Sequence, residues 1–201
     1  MTRLGRPRTF AREAALKSAM ELFWSRGYDG VPLTELQKAM GDITAPSFYA
    51  AFGSKEKLFR EAVDLYIKTR QIPIKRALAE EVTAHASIEK LLLRTAEFFS
   101  QPNKPHGCLV VLGAINCTNA GVQELLRDRR ASGERLILQI LRQGVAKGDL
   151  PTTVELKALA AFYSTVMNGL AIKARDGASR KELKNIVSSA MAAWDNRLSA
   201  K

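Results

Sequence analysis

"LTELQKAMGDITAPSFYAAFGSK", residues 33–55, is the stretch whose reading decides the fold of this chain. Leu33, Leu36 and Met40 set one apolar face on a short helix that follows Pro32 and stops at Gly41. Thr44 or Ala45 then stands where a helix cap belongs, Pro46 is tolerated in the first turn, and Gly53 ends a second short helix. At about 100° per residue, Phe48 and Phe52 share the core-facing side with Ala51 beside them. They are placed to pack on Leu16, Phe23 and Leu36. Tyr49, Pro46 and Ala50 point the other way, flanked by Ala45 and Ser47.

Upstream lies a longer helix, "REAALKSAMELFWSRGY" (12–28). Its Leu16, Ala19, Met20, Phe23 and Trp24 recur at i, i+3, i+4, i+7 and i+8, and Gly27 sits at the C-cap. One long and two short helices joined by short turns form a helix-turn-helix arrangement, with the motif itself at about 33–52. Downstream, Ser54 caps "KEKLFREAVDLYIKTRQ" (55–71), which Pro73 should kink or end. "IKRALAEEV" and "SIEKLLLRTAEFFSQ" follow, then a "PNKPHG" loop at 102–107 and a short apolar helix over 108–119. A long helix stopped by Gly148 and two more amphipathic helices, 154–175 and 180–198, complete the chain. The expected fold class is all-α, about nine helices with no sheet. Residues 1–8 form a basic flexible arm, 9–53 the helix-turn-helix domain and 54–201 a second helical domain, with helix 54–72 linking the two.

The chain of 201 residues carries 31 Lys+Arg against 20 Asp+Glu, a net charge of +11. With a pI near 9.9, this favours nucleic acid or another anionic surface as partner. Arg3, Arg6, Arg8 and Arg12 fall in the first twelve residues, which hold no acid. No uncharged apolar run of about 18 residues occurs, and no signal-peptide pattern follows the basic N-terminus. A cytoplasmic protein, associated with the nucleoid when on DNA, is expected. Cys108 and Cys117 are too few for a disulfide framework. On one continuous helix they would stand about 13 Å apart, too far to bridge, so two buried reduced thiols are expected.

Three runs across residues 14–63 carry a family resemblance: "A-x-E-L-F-x-x-x-G-Y" (19–28), "L-T-E-L" (33–36) and "Y-x-x-F-x-S-K-E-x-L-F" (49–59). In these the chain resembles the N-terminal DNA-binding domain of the TetR family of bacterial transcriptional regulators. The remaining 135 or so residues are similar to the family only in helicity and length. The resemblance implies that this half holds a ligand pocket and a dimer interface. One departure is visible: Gly41-Asp42-Ile43-Thr44 makes the turn between the two short helices one residue longer than the family's usual glycine-plus-apolar turn.

The outward face of the second short helix is small and neutral. Ala45, Pro46 and Ala50 let a backbone approach the major-groove floor and touch thymine methyls, and Ser47 can bond a base edge or a phosphate. No Arg–guanine or Asn–adenine pair is available there. Register and affinity should come from phosphate contacts by Thr34, Thr44, Tyr49 and Lys55, the last at a helix N-terminus. The resemblance gives Tyr49 and Lys55 the same roles. Arg6 and Arg8 of "RLGRPR" are placed to lie in an A·T-rich minor groove.

In the second half, Phe98, Phe99, Cys108, Leu112, Asn116, Phe162, Met167 and Asn168 mix apolar bulk with a few polar groups. That composition suits a small-molecule pocket, and it suits an ordinary helical core better. Leu156, Leu159, Tyr163, Val166, Leu170, Ile186, Ala190 and Trp194 lie on two amphipathic helices that can form a four-helix dimer interface, as the resemblance implies. His85 and His106 have no ligand partner at helical spacing, and no nucleophile–base set or phosphate loop is readable. No metal, cofactor or catalytic residue is expected. The reading is a homodimeric repressor, released from a palindromic operator by a small-molecule effector. The alternative is a helical ligand- or partner-sensing protein with weak or no specific DNA binding, and a membrane-surface or RNA-binding protein is a further rival.

Overall fold

A computed structural model describes residues 8–79 and 81–199, side chains at 8–11, 72, 73, 75–77, 79 and 195–199 excluded. Arg6 lies outside the described residues. Arg8 is described only as the first helical backbone position, so the first helix begins where the arm was expected to end. Among the described residues there are nine helices and no strand: α1 (Arg8–Arg26), α2 (Leu33–Ala39), α3 (Ala45–Phe52), α4 (Lys55–Ala79), α5 (Ala84–Phe99), α6 (Leu109–Leu112), α7 (Ala120–Lys147), α8 (Leu156–Arg175) and α9 (Arg180–Ser199).

The head is α1–α3 built on the start of α4. Ala19, Phe23, Leu36, Phe48, Leu58 and Phe59 are wholly buried in it. Phe23 meets Phe59 edge to face at 5.0 Å. The body is a bundle in which α7 packs on α8, and α5 on α4, α7, α8 and α9. Side-chain caps start several helices as expected for Thr and Asn: Thr44 at α3, Thr83 at α5 and Asn119 at α7.

Two expectations are corrected. Pro73 does not end α4, which runs on to Ala79 and absorbs the "IKRALA" segment. An interior proline removes one backbone hydrogen bond, about 3 kcal/mol or more in an isolated helix. Here Ile74 is buried and Ile67 and Leu78 pack on the core, so tertiary contacts hold the last turns. The helix expected over 108–119 is only four residues long. Gly113 ends it, and Gly113 O accepts the backbone N–H of Tyr28 at 2.8 Å. Cys108 and Cys117 therefore do not share a helix; both are buried and free.

Head and body are clasped by specific bonds. Trp24 Nε1 donates to Gly107 O at 3.1 Å, and Lys104 pairs with Glu21 at 2.6 Å. Arg60 Nη2 donates to Gly121 O at 3.1 Å, and Arg175 donates to the carbonyls of Trp24 and Ser25. Gly27, at φ +73°, allows this close approach: a Cβ there would stand 3.1 Å from Gly113 O.

Candidate nucleic-acid interface and ligand cavity

Thr44 starts α3. Its hydroxyl donates to Ser47 Oγ at 3.0 Å and accepts from Ser47 N at 3.4 Å. The long turn before it is made by two successive left-handed residues, Gly41 (φ 95°) and Asp42 (φ 55°). Aspartate is among the few side chains that tolerate this region, which is how the extra residue is accommodated. The backbone then presents Phe48 and Phe52 inward, wholly and almost wholly buried. It leaves Ala45, Pro46, Ser47, Tyr49 and Ala50 exposed together on one face. Tyr49 is 52% exposed, an unusual position for a large ring. Thr34, on the first turn of α2, is exposed as well.

Lys55 opens α4, where Ser54 Oγ accepts the Lys57 N–H at 3.0 Å. The Lys55 ammonium lies 4.5 Å from the centre of the Tyr28 ring. Burial holds its pKa below the usual lysine value, with Asp29 and then Cys117 acting in the opposite sense. Lys55 is thus half-buried against the head rather than extended, which fixes its ammonium relative to the N-terminal turn of α4. Lys57, which sequence reasoning passed over, is exposed in that turn beside Gly53. Its signal was present: a second lysine within two residues of a helix N-terminus.

The pocket residues expected from sequence do not come together. Phe98 stacks on Trp24 at 5.5 Å, Phe99 and Cys108 are core, and Leu112 and Asn116 border a hollow next to Tyr28 and Cys117. Asn168 borders another with Arg127 and Arg130. Phe162 packs edge to face on Tyr163 at 5.1 Å. Only Met167 of the eight lines an apolar cavity of about 240 Å³ between α4, α5, α6, α7 and α8. Its other walls are Ile67, Arg70, Gln71, Ile74, Leu78, Leu91, Val110, Arg129, Ser132, Gly133 and Leu136. The readable signal was an arginine on an apolar stripe: Ile67, Arg70, Ile74 and Leu78 follow at i, i+3, i+7 and i+11.

The expected interface residues also separate. Leu159, Tyr163, Leu170, Ala190 and Trp194 are buried within the one chain, because the apolar stripes of α8 and α9 face α5 and each other. Tyr163 Oη donates to Ala190 O at 3.3 Å across that contact. Leu156, Val166 and Ile186 are half-buried at its edge. The outward side of α8 presents Ala158, Ala161, Thr165, Gly169 and Ile172 instead. Among the described residues no cluster of three or more His, Cys, Asp or Glu side chains is placed to hold a metal, and no helix is long and apolar enough to cross a membrane.

Comparison with known proteins agrees with this architecture. The family model described as "Bacterial regulatory proteins, tetR family" matches residues 15–62. The chain is 34% identical over 196 residues to the HTH-type transcriptional repressor ComR of Escherichia coli (strain K12), covering 94% of this chain and 91% of that one. It is 32% identical to the HTH-type transcriptional repressor BdcR of the same strain, over 89% and 86%. Its fold matches a cysteine mutant of the TetR family regulator CifR, solved with 26 bp double-strand operator DNA. The TM-score is 0.89 and the identity 41%, over 94% of this chain and 100% of that one. The chain, similar to these proteins along nearly its whole length, belongs to the TetR family of bacterial transcriptional regulators.

Proposed function

We propose that the protein is a homodimeric DNA-binding transcriptional repressor, released from a palindromic operator by a small molecule held in the cavity between α4, α5, α6, α7 and α8. The observation that carries this reading is the exposed face of α3. Five side chains, small or hydroxylated, stand clear of the core on a helix pinned by Phe48 and Phe52, and a lysine is fixed at the adjoining helix N-terminus. Such a face lets the backbone approach the groove floor while phosphate contacts set the register. The likeness to repressors and to a regulator solved on operator DNA supports it.

Dimerisation is supported by the outward stripe of α8, where Ile172 is 48% exposed among small residues. Two-fold symmetry matches a palindromic site. Release follows from α4 being shared. Its far end lines the cavity, and its first residue packs on the head through the Lys55 contact with the Tyr28 ring. An effector that shifts α4 changes the spacing of the two reading helices, and by linkage effector and operator weaken each other equally.

The test is a mobility-shift titration of the full chain against the DNA upstream of its own gene, across a salt series. Binding there well above the level for unrelated duplex is expected. Equal binding to both at every salt concentration would replace this reading with that of a helical sensor without specific DNA binding.

A further inference from the structure

We propose that the ligand of the cavity is a small apolar monoanion, an aliphatic or aromatic carboxylic acid whose carboxylate is taken by the Arg70 guanidinium. The inference rests on the reading that this cavity holds a ligand, and it names the ligand's chemistry.

Arg70 is the odd group in the cavity. It projects from α4 among Ile67, Ile74, Leu78 and Leu91, yet no acid lies within ion-pair distance of it among the described residues. Neighbouring arginines are paired: Arg60 with Glu56 at 2.9 Å, and Arg129 with Asp64 at 2.6 Å. Arg70 Nη2 has only the buried Thr95 hydroxyl at 3.2 Å and the Met167 sulfur at 3.3 Å, and its guanidinium lies 5.1 Å from the Phe99 ring centre. Its Nε is buried with no acceptor. The Nε of Arg129, on the cavity wall from α7, is likewise buried and unpaired.

Arg70 is half-buried and has no counter-charge among the described residues, so its charge is incompletely solvated, and its buried Nε, a donor with no acceptor, adds to that cost. One group removes both penalties: a carboxylate, whose two oxygens match the planar guanidinium fork. A neutral alcohol or amide supplies an acceptor but no charge. A cation is repelled. A dianion brings more charge than one unpaired arginine balances, since the other arginine of the wall, Arg129, is already paired with Asp64. Size adds a bound. A cavity of about 150 Å³ takes benzene and drug-sized ligands need about 300 Å³ or more. The 240 Å³ here therefore suits a single ring or a chain of roughly eight carbons carrying the acid. Capture at Arg70 acts on α4 about 22 Å from Lys55, fifteen residues along the same helix.

The experiment is isothermal titration of the full-length protein, free of DNA, with octanoate and benzoate and with their neutral amides. The acids should bind at least tenfold more tightly than the amides. Arg70→Gln should weaken the acids tenfold or more and leave the amides within about twofold, while Arg70→Lys should retain part of the preference. Amides binding as tightly as the acids would overturn the proposal, since that comparison needs no variant. So would Arg70→Gln with unchanged acid affinity. Should no acid bind while the operator is still recognised, the ligand class falls and the repressor reading stands. Should acids bind with the stated preference while no operator is recognised, the ligand class stands and the repressor reading falls.

Discussion

The outward face of α3 and the cavity behind α4 are built on opposite electrostatic plans. The α3 face is neutral, and the cations beside it, Lys55 against Tyr28 and the exposed Lys57, sit at its margin. The cavity is apolar, and its unpaired cation, Arg70, sits inside it. In a protein with a net charge of +11, neither arrangement follows from the total. A surface that must approach a polyanion closely gains from small side chains, because the phosphates are reached from its edges. A cavity that selects one solute gains from a charge that no acidic side chain of the protein neutralises. The same residue type thus does different work on one helix: Arg60 braces α4 against α7 through Gly121 O, and Arg70 has no acidic partner among the described residues and a buried Nε without an acceptor.

The largest expected effect tests the anchor beneath the α3 face. Phe48→Ala should cost about 3–5 kcal/mol in a denaturant titration and abolish operator binding, since a wholly buried ring is removed. A loss below about 1 kcal/mol would mean that α3 is held by something other than its aromatic face. Next, Lys55→Ala should weaken DNA binding about tenfold on every sequence and lower the salt slope by about one. If it instead changed which bases are preferred, the division between margin and face would be wrong. Tyr49→Phe should cost about 0.5–1.5 kcal/mol of affinity, the value of one hydrogen bond, again without altering preference.

On the cavity side, Arg70→Met should leave the stability of the unliganded protein unchanged or raise it by up to about 1 kcal/mol, because a half-buried charge with no counter-charge is removed. A fall of more than about 2 kcal/mol in thermal unfolding would make Arg70 a structural residue and erase the contrast with Lys55. The smallest effect is expected from Ala50→Ser. Overall affinity should barely move, while the preferred bases under α3 shift in a binding-site selection.

The head was legible because its signals are local. Caps at Thr44 and Ser54, breaks at Gly27, Gly41 and Gly53, and the i, i+4 spacing of Phe48 and Phe52 all act within one or two helical turns. The body was legible only as helices. Its apolar stripes were visible, but a stripe does not say which neighbour it faces. Tyr163 and Trp194 were therefore read as interface, and Phe99 and Cys108 as either pocket or core; all four are buried within the one chain. Composition could not separate those roles, since core, pocket and interface draw on the same side chains.

The sequence by itself determined the all-helical class, the head with its inward and outward faces, and the family. Those depend on hydrogen bonds and side-chain contacts between residues a few positions apart. Only the tertiary structure decided that α4 continues through Pro73, that α8 turns its small side outward, and that five helices leave a cavity around Arg70. Each of those depends on which distant segments meet. The Thr95 hydroxyl is 25 positions from Arg70, Met167 is 97, and the absence of an acid near Arg70 is a property of the assembled bundle.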